Sequence, residues 1–307
     1  MLVLFIIGTK VASASPSRTA EYMALFRALE TVRPRNQRLF ADPFAVKFLP
    51  LRLRLVAKLA RLSPLHAAIV RLIDLLWPGA RSSAVARTRL IDDSLREALK
   101  GGIDQVVLLG AGFDSRAYRL PELAGKRVFE IDQPRTLSEK SRRVSSLTDV
   151  AAGHVTFVSL DFKRASLSEA LRAAGLDVSQ PAFFIWEGVT NYLTQNAVDA
   201  VLAFIGSTAP GSRLLFTYVH RDVIERPTAF EGTRRLRRSL RRFGETWSFG
   251  LAPGDLPCVL DRFGLSLIED IGSSEYRARY LGERGPHLKG YEFYRAALVA
   301  VGEPCPR

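Results

Sequence analysis

Cysteine is almost missing from this sequence. Its two copies, Cys258 and Cys305, lie far apart and form no Cys-x-x-Cys pair. That argues against a disulfide framework and against a cysteine-built zinc site, so no metal is expected and a reducing, cytoplasmic setting is the default. Histidine is scarce too, with four copies, and nothing resembles a catalytic histidine–acid pair. Only His220 stands near the expected active edge, and a loop position accounts for it. Acids are outnumbered by bases, 31 against 44, which leaves a net charge of +13. Such a chain attracts anions in general, and charge alone does not choose among them. Long apolar runs are absent as well. Met1–Ile7 is too short to span a bilayer and no basic residue precedes it, so residues 12–14 (Ala-Ser-Ala) are not read as a signal-peptide cleavage site. Residues 1–16 are expected to be a disordered tail.

What is present reads as a globular protein. Hydrophobic residues make up 47% of the chain, enough to fill a sizeable core. Residues 18–77 show helical periodicity: Tyr22, Leu25, Phe26 and Leu29, then Leu55, Leu59 and Leu62, then Leu65, Ile69, Leu72, Ile73 and Leu76. Prolines at 34, 43, 50, 64 and 78 cut the region into short helices. Residues 84–99 form one more amphipathic helix, with Leu90, Leu95 and Leu99 on its apolar side.

Beyond residue 100 the pattern changes. Short apolar runs at 105–110, 127–132, 154–161, 182–186 and 212–219 predict five strands. Helical patterns at 167–174 and 197–205 lie between them. Buried strands alternating with helices imply a doubly wound, mostly parallel sheet covered on both faces. Residues 265–268 and 293–301 predict two closing strands, seven in all, the last antiparallel. Residues 221–250 interrupt the pattern and are strongly basic.

The strongest local signal is Gly110-Ala-Gly112, where a strand turns into a helix. Glycines there let the backbone approach a ligand closely. Ser115 stands where a dinucleotide fingerprint has its third glycine, which weakens a pyrophosphate reading. Asp132 follows 20 residues beyond Gly112, at the end of the second strand, where an acid can accept both ribose hydroxyl protons. Glu130 shares its strand face and either lines the same crevice or is a strand-end charge. Asp161 and Phe162 end the third strand and offer an acceptor and an apolar face to an adenine. Glu187 ends the fourth. Ligands of open α/β sheets sit beyond this edge, so four successive polar strand ends are far more specific than one.

These residues resemble the leucine carboxyl methyltransferase family, and more closely its actinobacterial branch of S-adenosylmethionine-dependent methyltransferases. The resemblance covers about Ser17 to Tyr218 and rests on ordered motifs. They are Arg18-Thr-Ala20, Leu39-Phe-Ala-Asp-Pro43, Ala86-Arg-Thr-Arg89 with Ile91-Asp-Asp93, Gly110 through Arg119, Glu130-Ile-Asp-Gln-Pro134, Asp161-Phe162, and Glu187 through Leu193. It implies a Rossmann-like class I methyltransferase with S-adenosyl-L-methionine as cofactor. Arg87 would grip the carboxylate of the cofactor's methionine part, with Arg89 as its rival. Gly110 and Gly112 would form the cofactor loop, Asp132 would hold the ribose, Asp161 and Phe162 would frame the adenine, and Glu187 would face the methionyl amine. Phe162 departs from the leucine common at that position.

The implied organisation is one domain: a helical cap over 17–100, a cofactor-binding core over 101–220, a basic insertion over 221–260, and closing strands over 261–307. The implied acceptor is a small molecule methylated on oxygen, with a carboxyl group of a natural product as the leading case. A carboxylate is already ionised at neutral pH and needs no strong base. Tyr192 and Tyr218 are candidates to orient it, against a core or rim role for each. Arg234 through Arg242 holds six arginines, with Leu236, Leu240 and Phe243 at helical spacing. It reads as a helix with a solvated basic face, or more sharply as a lid that attracts an acidic substrate. Neither nucleic acid nor membrane is expected as a partner. The competing readings are a nicotinamide-dependent oxidoreductase and a non-catalytic basic nucleic-acid-binding module.

Overall fold

The computed structural model describes residues 18–145, 153–162, 165–226, 228–230, 233–242, 244–285, 288 and 290–302. The expectations for residues 1–16 and for Phe243 lie outside the described residues.

Four helices come first: α1 (Arg18–Thr31), α2 (Leu51–Leu59), α3 (Ser63–Leu76) and α4 (Ala80–Lys100). The alternating part follows as β1 (Gln105–Leu109), α5 (Arg116–Arg119), β2 (Arg127–Asp132), α6 (Pro134–Ser145), β3 (Val155–Ser159), α7 (Leu167–Ala173), β4 (Ala182–Trp186), α8 (Gln195–Gly206) and β5 (Arg213–Val219). The chain then runs through α9 (Asp222–Glu225), α10 (Thr233–Arg242), α11 (Leu256–Asp261), β6 (Leu265–Gly272), α12 (Ser273–Leu281) and β7 (Tyr294–Val301).

The seven strands among the described residues form one sheet in the order β3-β2-β1-β4-β5-β7-β6. β1 to β5 pair in parallel, and β7 runs antiparallel between β5 and β6. β6 extends four residues past the expected strand and carries a bulge between Leu267 and Glu269. Alternate side chains explain the double winding. Val107, Leu109, Phe184 and Trp186 face α7 and α8 through Leu171, Val201, Leu202 and Ile205. Val106, Leu108, Phe183 and Ile185 face α4 through Leu90, Ile91, Leu95 and Leu99. Both faces are covered, so the strands are continuous apolar runs rather than alternating ones. The Ser166 and Thr194 hydroxyls accept backbone N–H bonds from Glu169 and Ala197 and start α7 and α8.

The cap departs from one expectation. Leu55, Leu59 and Leu62 are exposed, as is Leu65. α2 instead turns Leu53, Val56 and Ala57 inward, into the cluster formed with α1 residues such as Leu25 and Phe26. α3 buries Ile69 and Ile73 there. The leucine periodicity is real, but a second face of these helices carries it.

Ion pairs lock the cap to the sheet. Asp92 on α4 is fully buried and accepts Arg116 Nε at 2.8 Å and Arg119 Nη1 and Nη2 at 2.7 Å each. Asp42 is also fully buried and accepts Arg27 Nε at 2.8 Å and the Ser115 hydroxyl at 2.5 Å. Breaking a buried pair leaves a charge without compensation, whereas an exposed pair adds little. Asp92→Ala is therefore expected to cost about 3–5 kcal/mol in urea unfolding. Glu122→Ala, which removes the partly exposed bond to Arg96, is expected to stay within about 1 kcal/mol.

Candidate active site

The strand order reverses between β1 and β4, because β2 and β3 lie on one side of β1 and β5 on the other. A crevice opens beyond the carboxyl ends of strands at such a switch point. α1, the start of α4 and α10 close over it. The result is a cavity of about 430 Å³. Arg87, Gly110, Gly112, Asp132, Asp161, Phe162 and Glu187 all line it.

The glycine turn explains its own sequence. Gly110 has φ +70° and Gly112 φ +42°. A Cβ on Gly110 would lie 2.3 Å from Val189 Cγ2, so the loops after β1 and β4 touch at this point. Asp132 braces the turn: its Oδ2 accepts the Gly112 N–H at 2.6 Å and its Oδ1 accepts the Gln133 N–H at 2.7 Å. Burial pushes this carboxyl above its ordinary pKa, and the two backbone N–H bonds oppose that rise.

Arg87 and Glu187 meet in the cavity wall. Arg87 Nε donates to Glu187 Oε1 at 2.8 Å, and its guanidinium lies 4.8 Å above the Tyr294 ring. Glu187 Oε2 accepts Arg116 Nη1 at 3.0 Å. Burial raises the Glu187 carboxyl, but Arg87 and Arg116 outweigh it and hold the group below the ordinary range. Arg89 points elsewhere. It pairs with Asp93 at 2.9 Å and with the Leu39 carbonyl at 2.8 Å, and is absent from the cavity wall.

Glu130 does not line the cavity. It is fully buried behind β2, 2.8 Å from Lys140 Nζ and 3.1 Å from the Tyr118 hydroxyl. The alternation of β2 puts it on the Asp132 face, but α6 covers that position with its lysine. His220 sits outside the cavity against Phe230, with rings 5.2 Å apart. Tyr218 is buried in the sheet and donates to Asp270 at 2.8 Å. Tyr192 does line the cavity.

The wall holds residues that carried no assigned role in the sequence. Tyr22, Met23, Phe26, Trp77, Trp247, Tyr291 and Tyr294 make one end apolar and aromatic. At that end Glu245 Oε2 accepts the Thr19 hydroxyl at 2.7 Å and the Tyr192 hydroxyl at 2.8 Å. Burial and the Glu245 carboxylate push the Tyr192 phenol well above its ordinary pKa, so it stays a donor. Trp247 Nε1 interacts with the Tyr192 hydroxyl, while the buried Asn191 Oδ1 finds no hydrogen-bond partner among the described residues. α10 contributes Leu236, Ser239 and Leu240, while Arg234, Arg238 and Arg241 face solvent. The basic face and the cavity wall are thus two sides of one helix. Arg116 and Asp114 lay within the quoted glycine motif; Asp114 pairs with Arg116 itself, and only the distant partners Asp92 and Glu187 give Arg116 its role.

The family model of leucine carboxyl methyltransferase matches residues 20–206. A relative from Frankia alni, named as a candidate S-adenosyl-L-methionine-dependent methyltransferase, is 39% identical over 68% of this chain and 70% of its own length. A second Frankia alni relative of the same designation is 32% identical over 95% of this chain and 88% of its own. A crystal structure described as a candidate methyltransferase from Thermobifida fusca superposes with a TM-score of 0.58 at 18% identity, covering 95% of this chain and 97% of that one. The last is a likeness of fold.

The close approach at the glycine turn gives a direct test. Gly110→Ala is expected to destabilise the protein by about 2 kcal/mol or more in thermal or urea unfolding, from the positive φ and the clash with Val189 together. Adding Val189→Ala is expected to relieve the clash and leave the backbone strain.

Proposed function

This chain belongs to the leucine carboxyl methyltransferase family and is an S-adenosylmethionine-dependent methyltransferase; from that premise we propose that its cavity holds the cofactor at the sheet edge and a small oxygen acceptor at the aromatic end.

The chain's own residues fit the cofactor. The Gly110–Gly112 turn lines the cavity with backbone at positive φ, where side chains are disfavoured. Asp132 is the acceptor for ribose hydroxyls, and Asp161 with Phe162 frames an adenine. The methionine part carries one positive and one negative group, and the Arg87–Glu187 pair presents the matching two. Arg87 is its carboxylate partner and Glu187 its ammonium partner. When bound, S-adenosylmethionine supplies a methyl group on a sulfonium, open to in-line displacement.

The protein's work is then orientation and exclusion of water. Tyr192 donates to Glu245 at the acceptor end, and Trp247 Nε1 interacts with the Tyr192 hydroxyl, so the three form a polar cluster that an acceptor oxygen can join. The grouping of Tyr192, Glu245 and Trp247 Nε1 in an otherwise aromatic wall is the observation that carries the proposal of an oxygen acceptor. Its aromatic surroundings suit a largely apolar molecule. No histidine lines the cavity among the described residues. A carboxylate, which needs no proton removed, is therefore the first acceptor to consider. A hydroxyl is the second, favoured by Glu245, whose carboxylate accepts from an O–H group and repels an anion.

The stability of the product distinguishes them. With a labelled methyl donor and a panel of small aromatic acids and phenols, a carboxyl acceptor is expected to give a methyl ester cleaved by mild base. Methyl label that survives the base treatment would mean an ether and move the assignment to a hydroxyl. Transfer to nitrogen or carbon acceptors alone would overturn the oxygen proposal.

A further inference from the structure

Scattered exposed leucines are ordinary on a protein surface, but a concentration of them marks a contact site. Of the seven strongly exposed large apolar side chains among the described residues, six lie in the α2–α3 hairpin: Leu51, Leu55, Leu59, Leu62, Leu65 and Leu75. Leu51 is 71% exposed, Leu75 66% and Leu62 59%, so these are outward side chains and not the margin of the core. On α2 the spacing decides the geometry. Leu51, Leu55 and Leu59 recur every four residues and share one outward face, while Leu53, Val56 and Ala57 share the inward face.

Charge selects the occupant. Residues 51–77 contain five basic residues, Arg52, Arg54, Lys58, Arg61 and Arg71, against one acid, Asp74. Asp74 is already held by Arg81 through two bonds of 2.7 and 3.1 Å. Lys58, Arg61 and Arg71 are exposed beside the leucines. A second copy meeting this face across a twofold axis would bring like charges together. A helix with leucines on one side and flanking Lys and Arg is instead built to lie in the interface of an anionic bilayer. No helix among the described residues is long and apolar enough to cross a membrane, and a surface-lying hairpin needs no such helix.

We propose that the α2–α3 hairpin docks on anionic lipid surfaces, with its exposed leucines entering the headgroup boundary and Lys58, Arg61 and Arg71 facing the lipid phosphates. This revises the expectation of no membrane partner. The hairpin also leads directly into the cavity wall, since Trp77 follows α3 and lines the cavity. The aromatic end of the cavity therefore adjoins the proposed lipid-facing surface. The docking itself does not depend on the methyltransferase reading.

The test is flotation of the full chain with vesicles of phosphatidylcholine alone and of phosphatidylcholine mixed with phosphatidylglycerol. The wild type is expected to float with the mixed vesicles, to float much less with the neutral ones, and to weaken as salt rises. The triple variant Leu51→Ser, Leu55→Ser, Leu62→Ser is expected to bind on the order of tenfold more weakly or worse. It should keep a Tm close to the wild type's, because these side chains are exposed and lie outside the buried clusters. Lys58→Glu with Arg61→Glu is expected to lose the preference for the anionic vesicles. Failure of the wild type to float with either vesicle would overturn the proposal, and so would equal flotation of the triple variant. A concentration-dependent dimer that disappears in the triple variant would assign the face to a second copy and overturn it as well.

Discussion

The Arg116 guanidinium is the point on which this structure turns. It reaches Asp92 on the cap helix α4, Asp114 in the glycine turn, and Glu187 at the end of β4. Three segments far apart in the chain are thereby fixed at one buried cation. Its cost is desolvation, and three carboxylates offset it. Through Glu187 the same cation orients Arg87, so the element that holds the cap down also sets the charged wall of the cavity. Stability and site geometry are one problem here.

That arrangement decides what the cavity offers. The cations Arg27 and Arg87 in its wall are neutralised by Asp42 and Glu187, and the acceptor end is aromatic. A zwitterion can bind across the Arg87–Glu187 pair, whereas an acceptor meets mostly apolar surface and a few directed hydrogen bonds. On the proposed reading the protein contributes placement and dryness more than acid–base chemistry, which suits a donor that is reactive on its own. In the proposed acceptor end the polar groups are those of Tyr192, Asn191, Glu245 and Trp247.

Much of the fold was legible because the central strands β1 and β4 are short apolar runs followed by a glycine and an acid, and because both faces of the sheet are covered. Six of the seven residues read as cofactor-binding fall just past strand ends or in the glycine turn, where local pattern and position coincide, whereas Arg87, within α4, was named only through the family resemblance. Glu130 was ambiguous because alternation places it beside Asp132, and only the packing of Lys140 from α6 removes it from the crevice. Arg116 had no readable partner, since its carboxylates lie 24 and 71 residues away. Glu245 and Trp247 sit in an irregular stretch with no period. The leucines of α2 had the period of a buried stripe, yet sequence alone does not say which face of a short helix meets the core.

The central claim is that the crevice beyond β1, β2 and β4 is an S-adenosylmethionine site braced by Asp132. Calorimetric titration of the wild type and of Asp132→Ala with S-adenosylhomocysteine, and with NADH in parallel, tests it most directly. Saturable binding of S-adenosylhomocysteine alone is expected, weakened at least about tenfold in the variant. Binding of NADH in its place, or an affinity for S-adenosylhomocysteine unchanged by the substitution, would contradict it.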